Sequence, residues 1–283
     1  MGIGDDAAVM DFTTGYTVIT TDLLTENVDF ILGEVPNSWI GRKAIAVNLS
    51  DLAAMAAKPA GVVVAVALPK INAQQIADEL YEGITQILDQ YDVPLIGGDT
   101  NTWDQGLVIS VTALGTATPE GVLKRSGAKP GDRILVTGQF GGSILKRQFI
   151  FEPRIKEALF LNKHFTIHAA MDVSDGLSLD LSRMASASNC GAVVDLERVP
   201  IHEDAFILSK TKNDHSPLEH ALSDGEDFEL LLAVPPEEAE KLLNQQPLET
   251  PLTDIGEFIE EKGQWFRHSD KTTRKVDPKG FLH

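Results

Sequence analysis

The sequence predicts an α+β fold made of two domains that meet near residues 120–130. Three observations lead there. Strand-period apolar runs and helix-period stretches are mixed without strict β-α-β alternation. Two turn-forming clusters, Thr118-Pro119-Glu120-Gly121 and Lys129-Pro130-Gly131-Asp132, punctuate the middle of the chain. A length of 283 residues with 43% hydrophobic content suffices for one large or two ordinary domains with a substantial core. The boundary is placed between residues 122 and 123, giving domains 1–122 and 123–283.

The elements follow in order. Gly2-Ile3-Gly4-Asp5-Asp6 opens the chain and reads by itself as a solvated turn. Tyr16–Thr21 alternates as a strand that ends at Asp22. A helix is expected over Trp39–Lys58, then a nearly unbroken apolar strand over Gly61–Leu68. Asn72 is placed to cap a helix to about Tyr91, with Ile76, Leu80, Ile84, Ile87 and Leu88 at helical spacing. Val93–Ile96 reads as a short buried strand entering Gly97-Gly98-Asp99-Thr100, and Leu107–Ala117 as another strand. In the second half, strands are expected at Arg133–Thr137, Gly191–Leu196, Phe228–Val234, Thr253–Ile259 and Trp265–His268. Helices are expected after Glu152-Pro153, after Asp175-Gly176 and after Pro235-Pro236, and residues 202–216 read as a polar loop. Gly138–Gly142 is either a phosphate cradle or a tight strand-to-helix turn.

Composition excludes several functions. With 42 acids against 24 bases, the net charge of −18 repels nucleic acid and anionic membranes. No apolar run reaches the roughly 18 residues needed to span a bilayer, and no signal peptide is evident, so a cytoplasmic protein is expected. The single cysteine, Cys190, rules out an intrachain disulfide. Phosphate-binding, dinucleotide and protein-kinase glycine motifs are absent.

What remains is a set of acids in apolar surroundings. Asp51 is the only charge between Ala44 and Ala57, Asp22 the only one between Tyr16 and Thr25, and Asp99 the only one between Val93 and Thr102. Asp5, Asp6, Asp172 and Asp175 also lie where apolar runs meet small-residue turns. If four or more of these carboxylates converge, each pair at about 4 Å costs roughly 4 kcal/mol at an effective dielectric of 20. Hard cations would then be needed, and an all-oxygen donor set suits Mg²⁺ or Mn²⁺ bound with substrate phosphates.

Seven stretches together resemble the thiamine-monophosphate kinase family: Gly2-Ile3-Gly4-Asp5-Asp6-Ala7-Ala8, Thr20-Thr21-Asp22, Ala46–Met55, Ile96-Gly97-Gly98-Asp99-Thr100, Arg125–Asp132, Asp172-Val173-Ser174-Asp175-Gly176 and Gly225–Leu230. They occur in the family's order and cover nearly the whole chain. The resemblance implies the fold shared with aminoimidazole ribonucleotide synthetase and selenophosphate synthetase. There an N-terminal α+β domain dimerises through its sheet, and a second α+β domain closes over the nucleotide. It implies ATP-dependent phosphorylation of thiamine monophosphate to thiamine diphosphate by direct in-line transfer, in a homodimer.

By the same resemblance, Asp6, Thr20, Thr21, Asp22, Asp51, Asp99, Asp172 and Asp175 would hold several Mg²⁺ ions. Tyr81, Gly98, Asp99, Arg125 and Ser174 would contact ATP, and Glu226 and Phe281 the thiamine moiety. The family commonly carries a substrate-contacting histidine seven positions after Asp22, where this chain has Asp29. It also carries a segment with a helix ahead of the Gly-Ile-Gly-Asp-Asp motif, on which this sequence opens. Two other readings stay open: another ATP-using member of the superfamily acting on a different small molecule, and a catalytically silent metal-binding relative.

Overall fold

The fold is that of a computed structural model, which describes residues 8–12, 15–212 and 215–281. The chain forms two compact units. One contains the chain through Ala53, Ala57–Pro119 and Phe149–Ile155; the other contains Ala54–Ala56, Glu120–Gln148 and the chain from Lys156 onward. Both mix helices with a sheet, so the fold is α+β, as the mixed periodicities predict.

The first unit holds β1 (Ala8–Phe12), β2 (Gly15–Thr25), α1 (Asn37–Ala54), β3 (Lys58–Pro69), α2 (Ala73–Tyr91), β4 (Leu95–Trp103) and β5 (Val108–Thr116). Its sheet runs β1-β2-β5-β3-β4, with only β3 and β4 parallel. Along β5 the residues alternate between buried and half-exposed, the pattern of a sheet covered on one face. Leu52 of α1 packs toward Gly115 on the covered face. The two helices meet backbone to backbone at glycines. A Cβ on Gly83 would lie 1.7 Å from the Ser38 carbonyl oxygen, and one on Gly41 2.2 Å from that of Leu80. Gly83→Ala is therefore expected to cost about 1–3 kcal/mol by overpacking, read as a lower urea midpoint at unchanged m-value.

Residues 149–155 return to this unit. Glu152 accepts hydrogen bonds from Arg42 (2.7 Å), Gln90 (2.5 Å) and Tyr91 (2.8 Å).

The second unit takes β6 (Arg133–Thr137), the start of α3 (Arg147–Ile150), most of α4 (Ile155–His164), β7 (Ala169–Asp172), α5 (Leu177–Ala187), β8 (Gly191–Asp195), α6 (Glu203–Lys212) and α7 (Pro217–Ser223). β9 (Leu230–Val234), α8 (Pro236–Gln245), β10 (Leu252–Ile259), β11 (Gly263–Arg267) and β12 (Thr273–Val276) complete it. Its seven-stranded sheet runs β12-β11-β8-β10-β6-β9-β7. Leu177, Leu181 and Met184 of α5 join Val136, Met171, Val194 and Phe258 in one buried core. Among the described residues no helix is long and apolar enough to cross a membrane.

Several expectations are corrected. β2 continues three residues past Asp22, because Leu23, Leu24 and Thr25 pair with β5. β4 is not a short strand ending at Ile96 but nine residues long, since its glycine and threonine run ladders against β3. Asp99 therefore sits inside a strand, not in a turn. α1 ends at Ala54 rather than Lys58, with Ala56 at φ +48° turning the chain into β3. The polar stretch 202–216 is largely helix: Ala205 and Leu208 bury the inner side of α6, and Ser216 with Glu219 forms a capping box that starts α7. β12 had no sequence signal and forms by pairing with β11.

Candidate active site

In the first unit the site begins with Thr20 and Asp22, two residues apart on β2 and so on the same face. α1 brings Asp51 onto them. The Thr20 hydroxyl donates to the Asp51 carboxylate. Burial pushes the Asp22 carboxyl up to about 6; a hydrogen bond with Asp51 opposes the rise, and the charge of Asp29 adds to it. The carboxyls of Asp22 and Asp51 thus meet in an apolar setting. Asp29 accepts a hydrogen bond from the Thr25 N–H at 2.7 Å, and its carbonyl receives the fully buried Lys43 ammonium at 2.9 Å.

Thr21 and Asp99 belong to the other face of the sheet. Thr21 donates its hydroxyl to Val111 O (2.9 Å). Asp22 pairs with Val111, which pairs with Val64; Asp99 pairs with Ala65, one residue out of phase. β5 and β3 also separate β2 from β4, so three strand spacings put Asp99 about 14 Å from Asp22. Gly98, in phase with Val64, and the exposed Tyr81 line one groove of about 540 Å³ with Val64, Leu80 and Ile84, and Asp99 borders it from the next position of β4. A Cβ on Gly98 would stand 2.2 Å from the Val64 carbonyl oxygen, so the groove floor requires glycine there.

In the second unit the candidate residues gather on the loop that follows β7. Asp172 and Asp175 are buried. The Ser174 carbonyl accepts from the Glu226 N–H at 2.7 Å, and the Asp175 carbonyl from the Phe281 N–H at 2.9 Å. Gly280 lies so close that a Cβ would be 2.3 Å from Asp175 O. The residues assigned to Mg²⁺ and ATP (Asp172, Ser174, Asp175) and those assigned to thiamine (Glu226, Phe281) thus meet at one loop. Arg125 is half-buried on the segment whose Lys124 carbonyl accepts from Ala170 N–H at the start of β7 (2.8 Å).

Among the described residues no three His, Cys, Asp or Glu side chains form a metal-binding group; Asp5 and Asp6 lie outside the described residues. The glycine loop is not a phosphate cradle. Gly141 N–H donates to Asp227 (2.9 Å) and Gly142 N–H to Asp224 (3.0 Å), so carboxylates of the chain itself fill the place an anion would take.

Sequence reasoning missed four charged residues that shape these loops. Asp180 accepts the N–H groups of Ser174 (3.1 Å) and Asp175 (2.9 Å). Arg183 reaches both Asp175 (2.5 Å) and Asp180 (2.7 Å). Asp227, wholly buried, is paired with Arg147 at 3.0 Å. An acid in the first turn of a helix reads as ordinary capping, which hid Asp180. No local signal marks Arg147, whose partner lies 80 residues away.

The chain matches the AIR synthase related protein N-terminal domain over residues 4–117 and the corresponding C-terminal domain over residues 129–267. It is 45% identical to a thiamine-monophosphate kinase of Rhodopirellula baltica, covering all of this chain and 91% of that one. It is 33% identical to the Bacillus subtilis thiamine-monophosphate kinase, covering all of this chain and 93% of that one. The solved structure of AaThiL complexed with AMPPCP and TMP superposes with a TM-score of 0.85 at 28% identity, covering 98% of this chain and 90% of that one. This chain belongs to the thiamine-monophosphate kinase family, within the AIR synthase related proteins.

Proposed function

We propose that the protein is a cytoplasmic kinase that transfers the γ-phosphoryl group of ATP directly, in line, to thiamine monophosphate, giving thiamine diphosphate. The likeness to the R. baltica kinase over all of this chain and 91% of that one carries this reading, and AMPPCP, bound by AaThiL, is an analogue of ATP.

Mg²⁺ fits the residues present. Thr20, Asp22 and Asp51 offer only oxygen donors, and the half-buried acid pair calls for positive charge; Asp175 already faces the Arg183 guanidinium, a cation standing in. Asp6, Thr20, Thr21, Asp22, Asp51, Asp99, Asp172 and Asp175 are the residues that would hold the ions. When bound, Mg²⁺ neutralises phosphate charge and orients the phosphoryl group.

The remaining work falls to the chain. Tyr81 would stack on the nucleobase from its groove beside Gly98 and Asp99, and Arg125 and Ser174 would receive phosphate oxygens. Glu226 and Phe281 offer a carboxylate and an aromatic face to the cationic thiamine ring, with Asp29 adding a second carboxylate. No general base is required, because the accepting phosphate oxygen is already ionised at neutral pH.

A homodimer formed through the first unit's sheet belongs to the same reading. All of β4 is exposed at the sheet edge, including Leu95, Ile96 and Trp103, which favours a second copy over open solvent.

The deciding experiment supplies ATP, Mg²⁺ and thiamine monophosphate and follows thiamine diphosphate by chromatography, with sedimentation of the same preparation. Product that vanishes in Asp99→Asn, from a sedimenting dimer, is the expected result. Absence of product with intact ATP binding would overturn the reading.

A further inference from the structure

Arg183 lies outside every motif that assigned a role on the post-β7 loop, yet its guanidinium meets two carboxylates there. Its Nη1 atom sits 2.5 Å from Asp175 Oδ2 and 2.7 Å from Asp180 Oδ1, one nitrogen bridging two carboxylates. The two carboxylates are held differently. Asp180 is fully buried, and its Oδ2 atom is committed to the N–H groups of Ser174 and Asp175. Asp175 is anchored through its backbone, its carbonyl accepting from the Phe281 N–H and its own N–H donating to Asp180, so the loop does not depend on the contact between Asp175 and Arg183 alone. About a third of the Arg183 side chain is exposed, which leaves it room to swing.

We infer that Arg183 is a positioning residue that occupies Asp175 in the absence of metal and sets this loop's affinity for a divalent cation by competing for that carboxylate. The inference rests on the reading of Asp175 as a Mg²⁺ ligand. A cation arriving at Asp175 meets a guanidinium within hydrogen-bond distance of the same oxygen, and like charges at that range repel. Arg183 must release Asp175 while keeping Asp180, whose buried charge it balances. The loop is thereby held in one arrangement before the cation arrives. Weak cation binding follows until a nucleotide's phosphates add their charge.

The test titrates Mn²⁺ without nucleotide and counts bound ions by electron paramagnetic resonance. Wild type, Asp175→Asn, Arg183→Gln, Arg183→Lys and the Arg183→Gln/Asp175→Asn double variant are compared. Arg183→Gln should tighten one Mn²⁺ site about tenfold, the scale of a partly exposed charge pair. The gain should disappear in the double variant, and Arg183→Lys should stay close to wild type. Arg183→Gln titrating as wild type, or a gain that persists without Asp175, overturns the inference.

Asp175→Asn at millimolar Mn²⁺ reports on the underlying reading separately. Weakened binding there, with no tightening in Arg183→Gln, removes only the role of Arg183. Unchanged binding removes Asp175 as a ligand and the inference with it. If Arg183→Gln does not fold because Asp180 loses its counter-ion, Arg183→Gln/Asp180→Asn keeps the loop neutral and carries the same expectation.

Discussion

Asp51→Asn is expected to lower kcat by about 10³ while leaving the metal-free fold at least as stable as wild type. The two halves of this result have one cause. Asp51 shares an apolar site with Asp22, whose carboxyl burial has already pushed up to about 6. Above that pH two negative charges face each other with little water between them. An amide at position 51 keeps both polar contacts: its oxygen can accept from the Thr20 hydroxyl, and its N–H₂ can donate to Asp22. The repulsion disappears, and with it the reason for a cation to bind. Melting curves at pH 8 should place the variant at or above wild type without Mg²⁺. Added Mg²⁺ should raise the wild-type melting temperature more than the variant's. A variant that melts well below wild type without metal would mean that Asp51 serves the fold.

The largest stability effect is expected at Arg147. This side chain donates to Asp227 Oδ1 (3.0 Å) and to the Gly141 carbonyl (2.8 Å), and lies 3.5 Å from Asp204. The second Asp227 oxygen is buried without a hydrogen-bond partner among the described residues. Burial raises the Asp227 carboxyl to about 7, Arg147 and the Gly141 N–H pull it back, and Glu229 adds to the rise. His202 and Asp224 complete the charged surroundings of the loop.

The sign of the pH effect follows. A native pKa above the unfolded value of about 3.9 means stability that is complete below pH 4 and lost as pH rises through 7. Over that range the loss is about 4 kcal/mol. Arg147→Met removes the cation that pairs with Asp227, so the native pKa rises further. At pH 8 the variant should lose about 3–5 kcal/mol in urea unfolding. At pH 5, where Asp227 is protonated, the loss should be clearly smaller. Adding Asp227→Asn should recover much of it at pH 8. Equal losses at both pH values would show that Arg147 acts by packing alone.

The acids were the most legible part of the site, because a lone carboxylate in an apolar run is a conflict visible without any structure. Their grouping was not legible. Spacing along the chain cannot tell that Asp22 and Asp51 share a face while Asp99 falls on the other, because that depends on ladder register across four strands. β4 was under-read for a related reason: Gly97-Gly98-Asp99-Thr100 has turn chemistry, and only the neighbouring β3 makes it a strand. α6 escaped because charges and apolar residues do not segregate along it, although Ala205 and Leu208 are buried. Arg147 and Arg183 read as surface charges, since their partners are set by tertiary contacts.

The return of residues 149–155 to the first unit has a consequence for synthesis. A ribosome releases β1 through β5 well before Glu152, which Arg42, Gln90 and Tyr91 await. When Ile155 emerges, β6 and the glycine loop have already left the exit tunnel. The nascent chain therefore cannot deliver one finished domain before beginning the next. A translational pause before Phe149 has left the exit tunnel would hold the first unit with its clasp open, and one after Ile155 has left it would let it close.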